Sequence, residues 1–274
     1  MINTFQSYLP ESMYSVDSTM TYKKIYESGE QNEPLTGKIF RLTAKALEID
    51  FGGGIIYHMP FHEFTIYPIY KEDGELSPNI YTMVGRKIRA KVTINCDGSF
   101  NLSRKAHMLE ALETLKNQSD INYAQITSFS RFSAFVDMGA GIIGRICAAD
   151  FSPIYYRNIQ DIGIKEGTII PLKIKEYLPE INRFELSRLQ TFDDPENVLE
   201  PSSIVICQIF EKLVSDPTNV GYHALIEGKY SGIVDSKLVP LQYGDKVAAT
   251  VRKIRKLSDG RIHIHLNFVN KVWD

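Results

Sequence analysis

At 274 residues, with 43% apolar and 23% charged side chains, the chain is long for one domain and has apolar material for two or three cores, which excludes wholesale disorder. The net charge of -2, from 31 Lys plus Arg against 33 Asp plus Glu, excludes a basic polyelectrolyte, so any nucleic-acid site must be a local patch. No window approaches the roughly 18 apolar residues that span a bilayer, and the N-terminus lacks a charged-then-apolar secretory pattern. Cys96, Cys147 and Cys207 form no Cys-x-x-Cys pair, so the expected setting is a reducing cytoplasm with no membrane partner.

In chain order, residues 1–34 carry two lysines against five acids and no sustained period, which predicts a flexible N-terminal tail. The remainder repeats. An offset of 87 residues lays Asp50-Phe51-Gly52-Gly53-Gly54-Ile55-Ile56 over Asp137-Met138-Gly139-Ala140-Gly141-Ile142-Ile143 and brings Phe64 onto Phe151. Val84-Gly85-Arg86-Lys87-Ile88, Lys165-Glu166-Gly167-Thr168-Ile169-Ile170 and Gln242-Tyr243-Gly244-Asp245-Lys246-Val247 each open an alternating apolar run. The copies close alike on Phe100-Asn101-Leu102-Ser103-Arg104, Phe184-Glu185-Leu186-Ser187-Arg188 and Ile262-His263-Ile264-His265-Leu266. The units run over 35–117, 121–200 and 201–274. Met108, Leu109, Leu112 and Leu115 recur at helical spacing and predict a connecting helix from Lys105 to Asn117. The acidic, turn-rich Asp193-Asp194-Pro195-Glu196-Asn197, followed by Pro201, predicts a second hinge.

Within a unit, Ile170, Leu172 and Ile174 alternate with Pro171, Lys173 and Lys175 at period two, the mark of a half-buried strand. The glycines between runs mark turns or bulges that let a short sheet bend and close on itself. Five short strands per unit predict three tandem small barrels, an all-β chain with one short helix.

The middle unit carries a familiar pattern. Ala124-Gln125-Ile126-Thr127-Ser128-Phe129-Ser130-Arg131-Phe132-Ser133-Ala134-Phe135-Val136-Asp137-Met138-Gly139, then Gly144-Arg145-Ile146-Cys147, resembles the S-one type RNA-binding repeat, an OB-fold module found in tandem in bacterial ribosomal protein S-one. The match runs without a gap from Ala124 to Phe151, and the layout extends more weakly to the outer units. The resemblance implies three five-stranded OB-fold barrels and a single-stranded RNA partner. It also implies a binding face of two aromatics on the second strand, a histidine on the third and an arginine near the last. In the middle unit these positions hold Phe132, Phe135, Cys147 in place of the histidine, and Arg183. The third unit holds Tyr222, Leu225, Asp235 and Arg261, half a site; the first holds Lys45, Glu48, Pro60 and Ser99, a barrel without that face.

The residues support the same reading physically. Alternation puts Ala134 and Val136 inward, so Phe132 and Phe135 are expected outside, where exposed rings stack bases or else pack under a neighbouring segment. By unit the net charge is +2, -3 and +3. The negative middle unit argues against its own site, unless Arg131, Arg145, Lys173, Lys175 and Arg183 form a local basic face. The run Arg252-Lys253-Ile254-Arg255-Lys256 is either a phosphate contact or a solvated strand edge. His58 with His62, and His263 with His265, lack the third ligand that zinc needs, so no metal or cofactor is expected. No nucleophile elbow, phosphate loop or His-Glu-x-x-His occurs, and no enzymatic activity is expected. The function read from the sequence is single-stranded RNA binding in translation or RNA metabolism through Phe132, Phe135, Arg145, Lys173, Arg183, Tyr222 and Arg261. The first unit would dock the ribosome or another protein. The competing class is a protein-interaction scaffold that has lost RNA binding.

Overall fold

The computed structural model describes residues 8–118, 121–154, 159–216, 219–236, 239–256 and 262–272. The first sheet comprises β1 (Leu35–Leu42), β2 (Ala46–Asp50), β3 (Ile56–Pro60), β4 (Lys87–Ile94) and β5 (Phe100–Ser103), in the order β3-β2-β1-β4-β5. The second comprises β6 (Asn122–Phe129), β7 (Ser133–Asp137), β8 (Ile143–Cys147), β9 (Ile169–Leu178) and β10 (Arg183–Ser187), closed in the order β10-β8-β7-β6-β9. The third comprises β11 (Ile204–Asp216), β12 (Asn219–Ile226), β13 (Tyr230–Asp235), β14 (Lys246–Lys256) and β15 (Ile262–Lys271), closed in the order β11-β12-β13-β15-β14. The chain therefore forms the expected array of three five-stranded OB-fold barrels, the first nearly closed and the other two closed. The inward positions follow the alternation: Ala124 and Ile126 on β6, Ala134 and Val136 on β7, and Ile170 and Leu172 on β9 are all buried. Among the described residues no helix is long and apolar enough to cross a membrane.

One position separates the closed barrels from the open one. In the second barrel β8 and β10 run parallel with Gly144 opposite Phe184, and a Cβ on Gly144 would stand 2.3 Å from Leu186 Cδ1. In the third, a Cβ on Gly232 of β13 would stand 3.0 Å from the Ile264 carbonyl oxygen of β15. The repeat offset lays Tyr57 of β3 over Gly144. At this position the first barrel carries a phenol ring where the closed barrels carry glycine, and its β3 and β5 are not hydrogen-bonded neighbours. Instead the Tyr57 hydroxyl accepts the Leu102 N–H at 3.3 Å, and its ring stacks on Phe100 at 6.1 Å.

The structure divides into two compact units, Met1–Ile146 with Gly163–Leu186, and Cys147–Ile162 with Ser187–Asp274. Within the first, residues 8–34 of the segment expected as a flexible tail are folded. Thr21 caps a helix over Tyr22–Gln31 by accepting the Lys24 N–H, and Ile25 on that helix is fully buried in the first core. A Cβ on Gly53, where φ is +60°, would lie 2.0 Å from the Met20 carbonyl oxygen, so the triple glycine is a seat for this segment as well as a turn. Glu11, buried, accepts two hydrogen bonds from the buried Arg104 guanidinium, at 2.9 and 2.7 Å, and a third from the Arg89 N–H at 2.9 Å. The Glu11 N–H donates to Asp137 Oδ2 at 3.2 Å. Single residues of the N-terminal segment thus grip both the first and the second barrel. Such isolated contacts leave no period in the sequence, which is why the segment reads as a tail.

The connecting helix runs over Arg104–Lys116, capped by the Ser103 hydroxyl, which accepts the Ala106 N–H at 2.9 Å. Met108, Leu112 and Leu115 are buried as the spacing predicts, whereas Leu109 faces solvent. Within the second unit, the expected hinge is corrected: Pro195 is buried, Leu199 enters the third core, and the Tyr230 hydroxyl donates to the Asp193 carbonyl at 2.9 Å. Its prolines and acids mark a turn that is pinned in place.

Candidate functional site

The second barrel carries five of the expected site residues, Phe132, Phe135, Arg145, Lys173 and Arg183. The β6–β7 hairpin turns at Ser130–Phe132, outside both strands, and leaves Phe132 53% exposed with the Arg131 guanidinium 5.0 Å from its ring centroid. By parity Phe132 matches the buried Ala134, so it is the turn, and not the alternation, that exposes it. Phe135 stands half-buried on β7 opposite Ser128, out of phase with Ala134 and Val136, as alternation requires. Arg145 on β8 lies opposite Glu185 on β10.

The electrostatics of this face turn on Glu185, which the sequence reading passed over. Arg145 Nε donates to Glu185 Oε2 at 2.9 Å, and Arg183 Nη2 donates to Glu185 Oε1 at 3.1 Å. One carboxylate therefore serves two guanidinium groups, and the triad keeps a net charge of +1. Arg183 Nε is buried without a hydrogen-bond partner. The signal was present in the sequence, since Arg183 and Glu185 are two apart on one strand and share a face. Lys173 is half-buried on β9 one residue beyond Leu172, which pairs with Asn122 at the start of β6, whereas Phe135 pairs with Ser128 near the end of that strand. Cys147 ends β8 half-buried.

The third barrel departs from expectation. Tyr222 is 3% exposed in the third core, and its hydroxyl accepts the Leu241 N–H at 3.2 Å. The stacking role expected of it is therefore corrected to a packing role. The reason is strand length. β12 begins at Asn219, so Tyr222 lies inside the strand and in phase with the buried Ala224 and Ile226, whereas its counterpart Phe132 falls in a turn. Arg261 lies outside the described residues. What faces outward instead is a groove of about 380 Å³ lined by Ile233, Asp235, Arg252, Lys253 and His265, with Arg252 donating to Asp235 at 3.3 Å. His58 lies beside Glu48 and His62 beside Glu63, and the His263 and His265 ring centroids are 6.5 Å apart. Among the described residues no three His, Cys, Asp or Glu side chains gather as a metal site. On the first barrel, Arg41 holds Glu48 through bonds of 2.9 and 2.7 Å, and these hold the Glu48 carboxyl below its ordinary range.

A second feature of the first unit has no signal in the sequence. A cleft of about 470 Å³ opens between the first two barrels. One wall carries Thr127 and Ile143 beside the Phe135 face, and the other carries Tyr67, Ile69, Asn79 and Arg86. The Tyr67 hydroxyl accepts the Ile143 N–H at 2.7 Å across the junction. At the floor, Glu11 with Arg104 lies next to Asp137, whose carboxyl is pushed up to about 6 by removal from water and by the Glu11 carboxylate.

No protein-family model matches the chain. The small ribosomal subunit protein bS1 of Staphylococcus saprophyticus is 23% identical over 188 residues, covering 66% of this chain and 45% of that protein. A polyribonucleotide nucleotidyltransferase of Porphyromonas gingivalis is 26% identical over 94 residues, 34% of this chain and 13% of that enzyme. The chain thus spans less than half the length of the curated relatives it matches. A solved multidomain protein with nucleic acid binding domains from Streptococcus pneumoniae aligns over 89% of this chain and 75% of that one, at 11% identity and a TM-score of 0.26. The chain is thus a tandem array of three five-stranded OB-fold barrels that is similar, at 23% identity over 66% of its length, to a small ribosomal subunit protein bS1.

Proposed function

We propose that this protein binds single-stranded RNA on the second barrel and acts, without catalysis, in translation or RNA metabolism in the cytoplasm. The observation that carries the reading is Phe132, an aromatic ring 53% exposed at a hairpin tip beside Arg131, on the same barrel as Phe135 and the Arg145–Glu185–Arg183 cluster. A ring held in water beside a cation stacks bases, at about 1–3 kcal/mol per base, and the arginines meet the phosphates. Likeness to a small ribosomal subunit protein supports an RNA partner. Arg252 and Lys253 on the third barrel extend the phosphate contacts, and two linked weak sites gain affinity through effective concentration.

The scaffold reading has its own support. Glu185 cancels one of two arginine charges on the face, and the first barrel exposes Phe40 and Ile56, apolar side chains suited to the ribosome or another protein. Fluorescence anisotropy of a labelled ~15-nucleotide RNA at two salt concentrations decides between them. RNA binding requires salt-sensitive association that Phe132→Ala/Phe135→Ala weakens. A wild type that stays unbound at low salt refutes it.

A further inference from the structure

The cleft between the first two barrels is absorbed by none of the roles above. Its volume, about 470 Å³, lies within the ordinary range for small-molecule sites, and a single nucleotide is of that scale. The walls are mainly apolar, from Tyr67, Ile69 and Ile143, which suits a flat base. The charges are ordered by depth. Glu11 and Asp137 lie enclosed beside Arg104, which neutralises only part of their charge, the Lys87 ammonium is held by the Ser12 and Tyr14 carbonyls, and Arg86 lies exposed. Among the described residues, no hydrogen bond or ion pair engages the exposed Arg86 guanidinium or the Asn79 amide. An anion is therefore repelled from the floor and attracted to the rim, whereas a group that donates hydrogen bonds is welcome at the floor. A nucleotide has this polarity, with its phosphate at one end and a donor-bearing base edge at the other. The cleft is also continuous with the candidate face, because Thr127, which lines it, donates from its hydroxyl to the Phe135 carbonyl at 3.1 Å.

We propose that this cleft takes one nucleotide of the RNA strand that lies on the Phe135 face, base inward against Tyr67 and Ile143, phosphate at Arg86. The first barrel, which lacks the stacking residues of its own repeat, would thus contribute to recognition through its side wall. The inference rests on the RNA reading of the second barrel.

The test uses the full chain and a labelled ~15-nucleotide RNA, followed by anisotropy and by isoleucine methyl NMR. Asn79→Trp obstructs the mouth and Arg86→Gln removes the cation; both positions are exposed, so the fold is spared. The expected result is at least roughly fivefold weaker binding for Asn79→Trp, and for Arg86→Gln a salt slope shallower by about 0.7. RNA should also shift the Ile69 and Ile143 methyl resonances in the wild type, and Asn79→Trp should abolish those shifts. The proposal is overturned, with the RNA reading intact, if the wild type binds and Phe135→Ala weakens it while both cleft variants bind within twofold of wild type and the two methyls do not move. If the wild type binds no RNA at low salt, the RNA reading itself fails and the cleft proposal falls with it.

Discussion

The pair Arg104–Glu11 offers the sharpest test of how the first unit holds together. Both residues are 4% exposed, the two bonds are 2.9 and 2.7 Å long, and Glu11 also accepts the Arg89 N–H. Replacing Arg104 by leucine strands the Glu11 carboxylate without its counter-ion, a change that costs about 3–5 kcal/mol in such sites. For a unit of roughly 150–250 residues each kcal/mol moves Tm by about 2–4 °C, so Arg104→Leu should melt some 6–20 °C lower in scanning calorimetry. Removing the carboxylate as well should restore most of the loss. The double variant Glu11→Leu/Arg104→Leu leaves chiefly the Arg89 N–H unsatisfied and should settle within about 1–3 kcal/mol of wild type. A single variant within about 1 kcal/mol of wild type, or a double variant no better than the single, would refute the claim that this pair staples the N-terminal segment to the barrels.

Four further outcomes follow from the same geometry. Asp137 has its carboxyl raised from an ordinary 3.8 to about 6, so the folded protein holds a proton that the unfolded chain has released between those values. Its contribution is therefore intact below about pH 4 and lost as pH rises through 6, by up to about 3 kcal/mol relative to Asp137→Asn; a difference in denaturation midpoints that stays flat or grows toward acid pH contradicts this. Glu185→Gln removes one negative charge from beside Arg145 and Arg183 and should tighten RNA binding with a salt slope steeper by about 0.7, whereas weaker binding would mean the carboxylate positions the arginines productively. Tyr222→Phe should cost about 1 kcal/mol through the lost Leu241 N–H bond, and Tyr222→Ala about 3–5 kcal/mol; reduced RNA affinity in a fully folded Tyr222→Phe would return this residue to the binding face. Gly144→Ala should destabilise the second barrel by about 1–3 kcal/mol, because Leu186 must move to admit the methyl group, and hydrogen exchange should quicken on β8 and β10 rather than on β6; uniform exchange would show that closure does not hinge on this glycine.

The sequence by itself determined the number of barrels, the phase of the inward positions and the connecting helix. Each of these follows from local periodicity: Ile170 and Leu172 at spacing two, Met108, Leu112 and Leu115 at helical spacing, and one glycine turn repeated at a fixed offset. It also put Phe132 and Phe135 outside the core, although the exposure of Phe132 comes from a hairpin turn that alternation does not describe. Tyr222 marks the limit of that approach. The same motif position is exposed in one repeat and buried in the next, because strand length decides whether it falls in the turn or in the ladder. Only the tertiary structure decided the fate of residues 8–34, the pairing of one Glu185 carboxylate with both Arg145 and Arg183, and the cleft between the first two barrels. Those depend on contacts such as Glu11 with Arg104 and Tyr67 with Ile143, made between residues far apart in the chain, where no local period records which side chains will meet.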